Sequence, residues 1–336
     1  MSRVLETPQQ RKLFTLDCSN AGTVRKVSPD FPRSLYTKLI FYLYGNLTKT
    51  TSGAGTLADN ALSMLKAIRI LADGETIKEF EPRQMRIYSH FIGRGIDTDL
   101  TMITSGTQTA ERFEARFELD FQFLGTRGPW MGWFPAFRYN QITMEVDVGD
   151  YTSLVAGGTY TGVSWSTNPS LEVWAEEIQS PKAYGYTGYL LHKVQQRIYA
   201  LNSVANNTGS EALYELPIGE VYRGILAHQF TRTPDLGINT LLRGESGTTY
   251  DNLIVRVNGT YRRVETNWYE LRRRNKARYG VALPSAYAFI DFVEDMDLLK
   301  MLRADAGINS IQFMASNASV ANAFLGLTLF TMKKAK

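Results

Sequence analysis

Ile68-Arg-Ile-Leu-Ala-Asp-Gly74 and Leu253-Ile-Val-Arg-Val-Asn-Gly259 carry one pattern twice. Each alternates apolar with other residues, the period of a half-buried strand, and each ends in a dipeptide that favours a tight hairpin turn. Each is followed by a polar and aromatic segment, then by runs rich in Phe, Ile and Val. The two glycines lie about half the chain apart. Solenoid repeats are only about 20–50 residues long, so a repeat at this spacing means two copies of one domain.

Working outward, further elements recur in the same order. Leu39-Ile-Phe-Tyr-Leu-Tyr44 reads as a buried strand ahead of the first hairpin, and Val221-Tyr-Arg-Gly-Ile-Leu226 stands in the same place ahead of the second. Phe113, Ala115, Phe117, Leu119, Phe121 and Phe123 fall on every second residue, as a strand with one buried face requires. Their counterpart, Tyr287-Ala-Phe-Ile-Asp-Phe-Val293, reads as buried on both sides. Ile142, Met144, Val146 and Val148 match Ile311, Phe313 and Ala315, and Leu171–Trp174 matches Leu325–Phe330 as the closing strand. Between hairpin and later strands each copy carries a helix signal. Pro82 suits a first helical turn, and Asn267 with Glu270 three residues on suits a capped start.

The 336 residues are 44% hydrophobic, 21% charged and 12% aromatic, a composition of globular chains rich in strands. The net charge of +4 is small for this length and does not by itself imply nucleic-acid binding. The single cysteine, Cys18, excludes an intrachain disulfide. Met1–Pro8 lacks the apolar core of a signal peptide, and no stretch approaches the ~20 apolar residues of a membrane-spanning helix. The expectation is a chain made and folded in a cytoplasm. Residues 1–33 read as an N-terminal arm carrying Arg11, Lys12, Arg25 and Lys26, with Pro29 and Pro32 ahead of the first strand. A first β domain covers 34–178. Residues 179–215 read as a linker with a short helix, because apolar positions 190, 191, 194, 198 and 201 follow helical spacing. The second β domain covers 216–336 and ends in a basic tail, Lys333, Lys334 and Lys336. Strands in this order, separated by Gly-rich turns, predict an all-β chain of two tandem eight-stranded jelly-roll β-sandwiches with short inserted helices.

Catalytic chemistry is not signalled. His90, His192 and His228 are far apart, with no two at metal-ligand spacing. Neither a phosphate-cradling loop nor Gly-x-Ser-x-Gly occurs. A carboxylate pair for glycoside hydrolysis would meet in space, and nothing in the sequence singles one out. Asp291, Glu294, Asp295 and Asp297 offer hard oxygen ligands for a structural Ca2+, but solvated turns use the same residues. Arg272, Arg273 and Arg274, beside Trp268, Tyr269 and Tyr279, suit either a nucleic-acid surface or a subunit contact in which Arg meets a neighbour's carboxylates. Trp130, Trp133 and Phe134 form an aromatic loop that suits core or partner contact. No catalytic residue and no cofactor is expected.

Taken together, the paired segments Ile68–Gly74 and Leu253–Gly259, each followed by a helical stretch, the Phe113–Phe123 strand and the paired closing strands resemble a known family. It is the double jelly-roll major capsid proteins of tailless icosahedral, membrane-containing bacteriophages, of the corticovirus and tectivirus lineage. The resemblance covers roughly residues 34–336. It implies a structural coat protein in the virion and no enzyme. It implies a homotrimer whose six jelly rolls form a pseudo-hexagonal tile, with penton and minor capsid proteins as further partners. It also implies an internal lipid membrane, met by Arg11, Lys12, Arg25, Lys26, Lys333, Lys334 and Lys336, and no sequence-specific nucleic-acid binding. The alternatives are a carbohydrate-binding or carbohydrate-active β-sandwich protein, and a spike or penton component.

Overall fold

Both hairpins form, and both are tied down in the same way. In the computed structural model, Leu65–Ala72 pairs with Glu75–Phe80, and Asn252–Val257 pairs with Tyr261–Asn267. Asp73 and Asn258 each have φ of 50°, followed by Gly74 at 81° and Gly259 at 74°. Short Asp and Asn side chains tolerate this left-handed region, and Gly enters it freely. Each turn side chain also anchors a distant strand. Asp73 Oδ1 accepts the backbone N–H of Asn140 at 2.8 Å and of Gln141 at 3.0 Å. Asn258 Oδ1 accepts those of Asn309 at 2.8 Å and Ser310 at 3.3 Å. The strands Ile142–Val148 and Ile311–Ser316 therefore start from equivalent anchors. Asn258→Ala removes the acceptor and leaves a poorly suited residue at positive φ, for an expected loss of about 1–2 kcal/mol. Chemical denaturation measures it, and an unchanged midpoint would contradict the anchoring role.

The structure describes residues 8–51, 56–57, 61–92, 103–122, 132–156, 160–179, 190–200, 211–232, 239–241, 252–259, 261–293, 301–304, 307–316 and 323–334. In the first copy one sheet runs Gln9–Asp17, Tyr160–Ile178, Leu35–Thr51, Gln108–Asp120. The facing strands run Val24–Val27, Ile142–Val148, Leu65–Ala72, Glu75–Phe80. In the second copy the corresponding rows are Leu190–Ala200, Ala323–Lys334, Val221–Arg232, Tyr287–Asp291, and Glu211–Leu216, Ile311–Ser316, Asn252–Val257, Tyr261–Asn267. In each copy the eight strands enter the two sheets in the same chain order, which is the jelly-roll winding. The helices α1 (Pro82–Ile92) and α2 (Trp268–Tyr279) occupy the same connection in the two copies. Asn267 caps α2 by accepting the Glu270 N–H at 2.7 Å, and Gly280 ends it at φ 77°.

Each core lies between the two sheets of its own copy. Phe41, Leu43, Phe113, Phe117 and Val173 face Ile68, Ile70, Met144 and Val146 in the first. Ile225, Ile290, Leu327 and Leu329 face Leu253, Val255, Ile311 and Phe313 in the second.

Two expectations are corrected. Residues 1–33 are not an arm throughout: Gln9–Asp17 and Val24–Val27 are the first two strands of the first jelly roll. Among the described residues Gln9–Asp17 borders its sheet and pairs only with Tyr160–Ile178, so it carries charged and exposed side chains and reads as polar. Within residues 179–215 the helix expected over Tyr189–Leu201 is not formed in its described part, residues 190–200. Leu190–Ala200 is a strand, paired along its length with Ala323–Lys334, and Glu211–Leu216 is the next. Long-range pairing overrides the local helical spacing. The second jelly roll thus begins at residue 190. The segment that breaks the repeat in the sequence is the counterpart of Gln9–Asp17.

Candidate interaction surfaces

The two copies join through an extensive seam. Val194 in Leu190–Ala200 pairs in parallel with Lys78 in Glu75–Phe80, so one sheet of ten strands continues through both copies. Beside this bridge α1 lies on the outer face of the second copy's sheet. There Leu226, Phe289 and Phe330 turn toward the first copy's cluster, while Ile225, Ile290 and Leu329 turn inward. Tyr88 stacks on Phe330 with ring centres 3.7 Å apart, and Phe91 lies 4.5 Å from Tyr279.

Several polar groups in the seam are matched, while the buried Lys78 Nζ makes no hydrogen bond among the described residues and lies over the Phe121 ring. Gln84 Oε1 accepts from Gln196 Nε2 at 2.8 Å and from Thr328 Oγ1 at 3.1 Å. That arrangement turns the Gln84 amide nitrogen toward His228 Nε2, 2.8 Å away. The His228 ring is stacked between Phe230 and Tyr287 and sits over Gly326, where a Cβ would fall 1.8 Å from Cε1. Burial, with Arg83 nearby, holds the His228 pKa down to about 3. Lys193 bridges Glu220 at 2.7 Å and Glu75 at 3.3 Å. A second buried cluster joins Arg223, Asp291, Tyr279 and Arg278.

The same outer face is open on the first copy. Tyr42 and Tyr44 are each 36% exposed there. With Ile40, Trp174, Glu114 and Glu172 they line a shallow hollow of about 410 Å³. Charges on this sheet face are arranged in cross-strand pairs: Lys12 with Glu172 at 2.7 Å, and Lys38 with Glu118 at 2.7 Å.

The three consecutive arginines of α2 point in different directions. Arg272 turns inward and donates to the Leu283 carbonyl at 2.6 Å, and burial lowers its pKa. Arg273 lies over the ring of Tyr269, 5.9 Å away, and Arg274 pairs with Glu270 at 3.0 Å. Tyr269, at 59%, is an exposed aromatic. Trp133 is half-buried, and Trp130 lies outside the described residues. The basic residues near the termini are largely paired: Arg11 with Glu177 at 2.8 Å, Arg25 with Asp147 at 2.8 Å, Lys333 with Glu75 at 3.1 Å. Lys26 is half-buried in its short strand. Lys334 ends the last strand, and Lys336 lies outside the described residues.

Of the acidic cluster, Asp291 is engaged by two guanidinium groups, and Glu294, Asp295 and Asp297 lie outside the described residues. Among the described residues no group of three or more metal-ligating side chains comes together, and no helix is long and apolar enough to cross a membrane. Cys18 is buried, which pushes its thiol up to about 12. The seam residues Gln84, Tyr88 and Gln196 were not singled out by the sequence. The one available signal was His228, a polar residue inside an apolar strand.

No protein-family model matches this sequence, and no curated protein sequence matches it. Solved structures do. The MCP of STIV superposes with a TM-score of 0.70 over 96% of this chain and 95% of that chain, at 15% identity. The major capsid protein P2 from bacteriophage PM2 superposes with 0.62 over 98% of each chain, at 12% identity. The quasi-atomic PBCV-1 virus capsid chain gives 0.64 over 96% of this chain and 92% of that one, at 13% identity. The class defined here is the double jelly roll, and these structural neighbours are major capsid proteins. The likeness covers nearly the whole of this chain.

Proposed function

We propose that this chain is the major coat protein of an icosahedral virion. The observation that carries the reading is the double winding itself: two jelly rolls of one strand order, fused through one continuous sheet. Three such chains in a closed ring present six similar domains, a tile suited to hexagonal packing on a facet. Heterologous contacts that close give rings of this kind. Solved proteins of the same fold that are major capsid proteins support the reading.

The purified chain is expected to run as a trimer, three times 37.9 kDa, and to form flat hexagonal arrays or shells by electron microscopy. A strictly monomeric chain that binds sugars would overturn the reading.

The lipid contact belongs to the same proposal. Arg11, Lys12, Arg25 and Lys333 already serve carboxylates, so Lys26 and the last lysines of the tail, Lys334 and Lys336, carry most of it. Each cation near an anionic surface contributes about 1 kcal/mol. Replacing the three tail lysines by Gln is expected to reduce flotation with phosphatidylserine vesicles at low salt. Unchanged flotation would remove the lipid contact and leave the coat reading in place.

A further inference from the structure

The seam inside the chain has two loose ends. Glu75–Phe80 of the first copy meets Leu190–Ala200 of the second. The counterparts of these strands, Tyr261–Asn267 and Gln9–Asp17, are the outermost strands of their sheets among the described residues. Likewise α1 covers the outer face of the second copy's sheet, while the matching face of the first copy is open and α2 presents exposed charge. An exposed strand edge is a template for pairing.

Two hydrogen bonds fix which residues correspond. Ser89 of α1 donates to the Glu118 carbonyl at 3.0 Å, and Asn275 of α2 donates to the Phe289 carbonyl at 2.8 Å. Ser89 therefore matches Asn275, so Gln84 matches Glu270 and Tyr88 matches Arg274. Glu118 matches Phe289, and strand register carries the match across each sheet. Glu118 lies opposite Ile40, then Trp174, then Lys12. Phe289 lies opposite Leu226, then Thr328, then Gln196. Lys12 thus stands where Gln196 stands, and Glu176 where Phe330 stands.

The substitutions at these positions are complementary. Within the chain Gln84 bonds to Gln196 and Tyr88 stacks on Phe330. In the loose halves the same pairs read Glu270 with Lys12 and Arg274 with Glu176. Two neutral contacts become two ion pairs of opposite sign. We infer that α2 of one chain docks on the open outer sheet face of a second copy of this chain, with Glu270 on Lys12, Arg274 on Glu176, and Tyr261–Asn267 against Gln9–Asp17. The contact between chains repeats the contact within the chain. Charged pairs suit an interface that must first exist as exposed surface in the free subunit.

The inference deepens the coat-protein reading and rests on it, and its test separates the two. The full-length chain carrying Lys12→Cys and Glu270→Cys is oxidised and run without reductant. Cross-linked species up to three chains are expected, with neither single variant cross-linking. In parallel, Arg274→Glu is expected to weaken the assembly about ten-fold or more, and adding Glu176→Arg to restore it. Both positions are at the surface, and circular dichroism of each variant checks that the fold is kept. A wild-type chain that is trimeric while the cysteine pair gives no interchain cross-link and Arg274→Glu assembles normally overturns this docking and leaves the coat reading standing. A wild-type chain that stays monomeric at high concentration overturns the ring reading, and this inference with it.

Discussion

Arg223→Met is expected to lower the unfolding free energy by about 3 kcal/mol, because removing one partner of a buried ion pair leaves the other uncompensated. Arg223 is 1% exposed in Val221–Arg232, and its guanidinium pairs with Asp291 and lies over the Phe289 ring. Burial disfavours its charge, but Tyr88, Asp291 and Tyr279 outweigh that and hold its pKa above the ordinary arginine value. In the variant Asp291 keeps Tyr279 and Arg278, and the Arg278 side chain is 34% exposed and a weaker source of compensation. The double variant Arg223→Met with Asp291→Leu is expected to recover most of the loss, since neither charge is then buried. Urea denaturation of the wild type, the single variants Arg223→Met and Asp291→Leu, and the double variant gives the coupling directly. A single variant within about 0.5 kcal/mol of wild type would mean that the pair contributes little, as exposed pairs do.

The same cluster shows what could be read from sequence. The two Gly turns, the alternating strands and the Asn267 cap were legible because local chemistry dictates them: positive φ, period two, an orphan N–H. The strands Gln9–Asp17 and Leu190–Ala200 were not, for opposite reasons. The first is polar because it lies at an edge, and the second has apolar residues at helical spacing yet pairs as a strand along its whole length. In both, partners far along the chain decide the conformation. The candidate contact residues divided likewise. Arg273 and Arg274 are outward on α2 as helix charge suggests, whereas Arg272 turns in toward the Leu283 carbonyl, a target visible only once the chain has folded back. Glu270 and Lys12 gained meaning only after strand register matched the two halves residue by residue.

Acidification is expected to act on two buried groups in opposite directions, and two variants should pull them apart. His228 is held at about 3, against 6.5 when free, so below about pH 6.5 the unfolded chain binds a proton that the folded chain refuses. Its stabilising contribution is complete above that pH and declines as pH falls, by about 1.4 kcal/mol per unit, or about 2.7 kcal/mol by pH 4.5. The cause is burial, with Arg83 nearby, and a protonated ring would also turn an N–H toward the Gln84 amide nitrogen. Asp120 has the reverse sign. Burial pushes it up to about 6 from 3.8, despite Lys38, so the folded chain takes up its proton first. Stability therefore rises as pH falls through about 6, by about 2 kcal/mol at pH 4.5. The two terms nearly cancel in the wild-type protein. His228→Gln should gain stability between about pH 6.5 and 4.5, and Asp120→Asn should lose it, so that their curves diverge by about 4–5 kcal/mol. Denaturation midpoints across that range measure the divergence, and parallel curves would show that neither group is buried as described. Because His228 sits in the seam, the Asp120→Asn protein in acid should also lose the contact between its two jelly rolls, visible as faster amide exchange in Val221–Arg232 and α1 together.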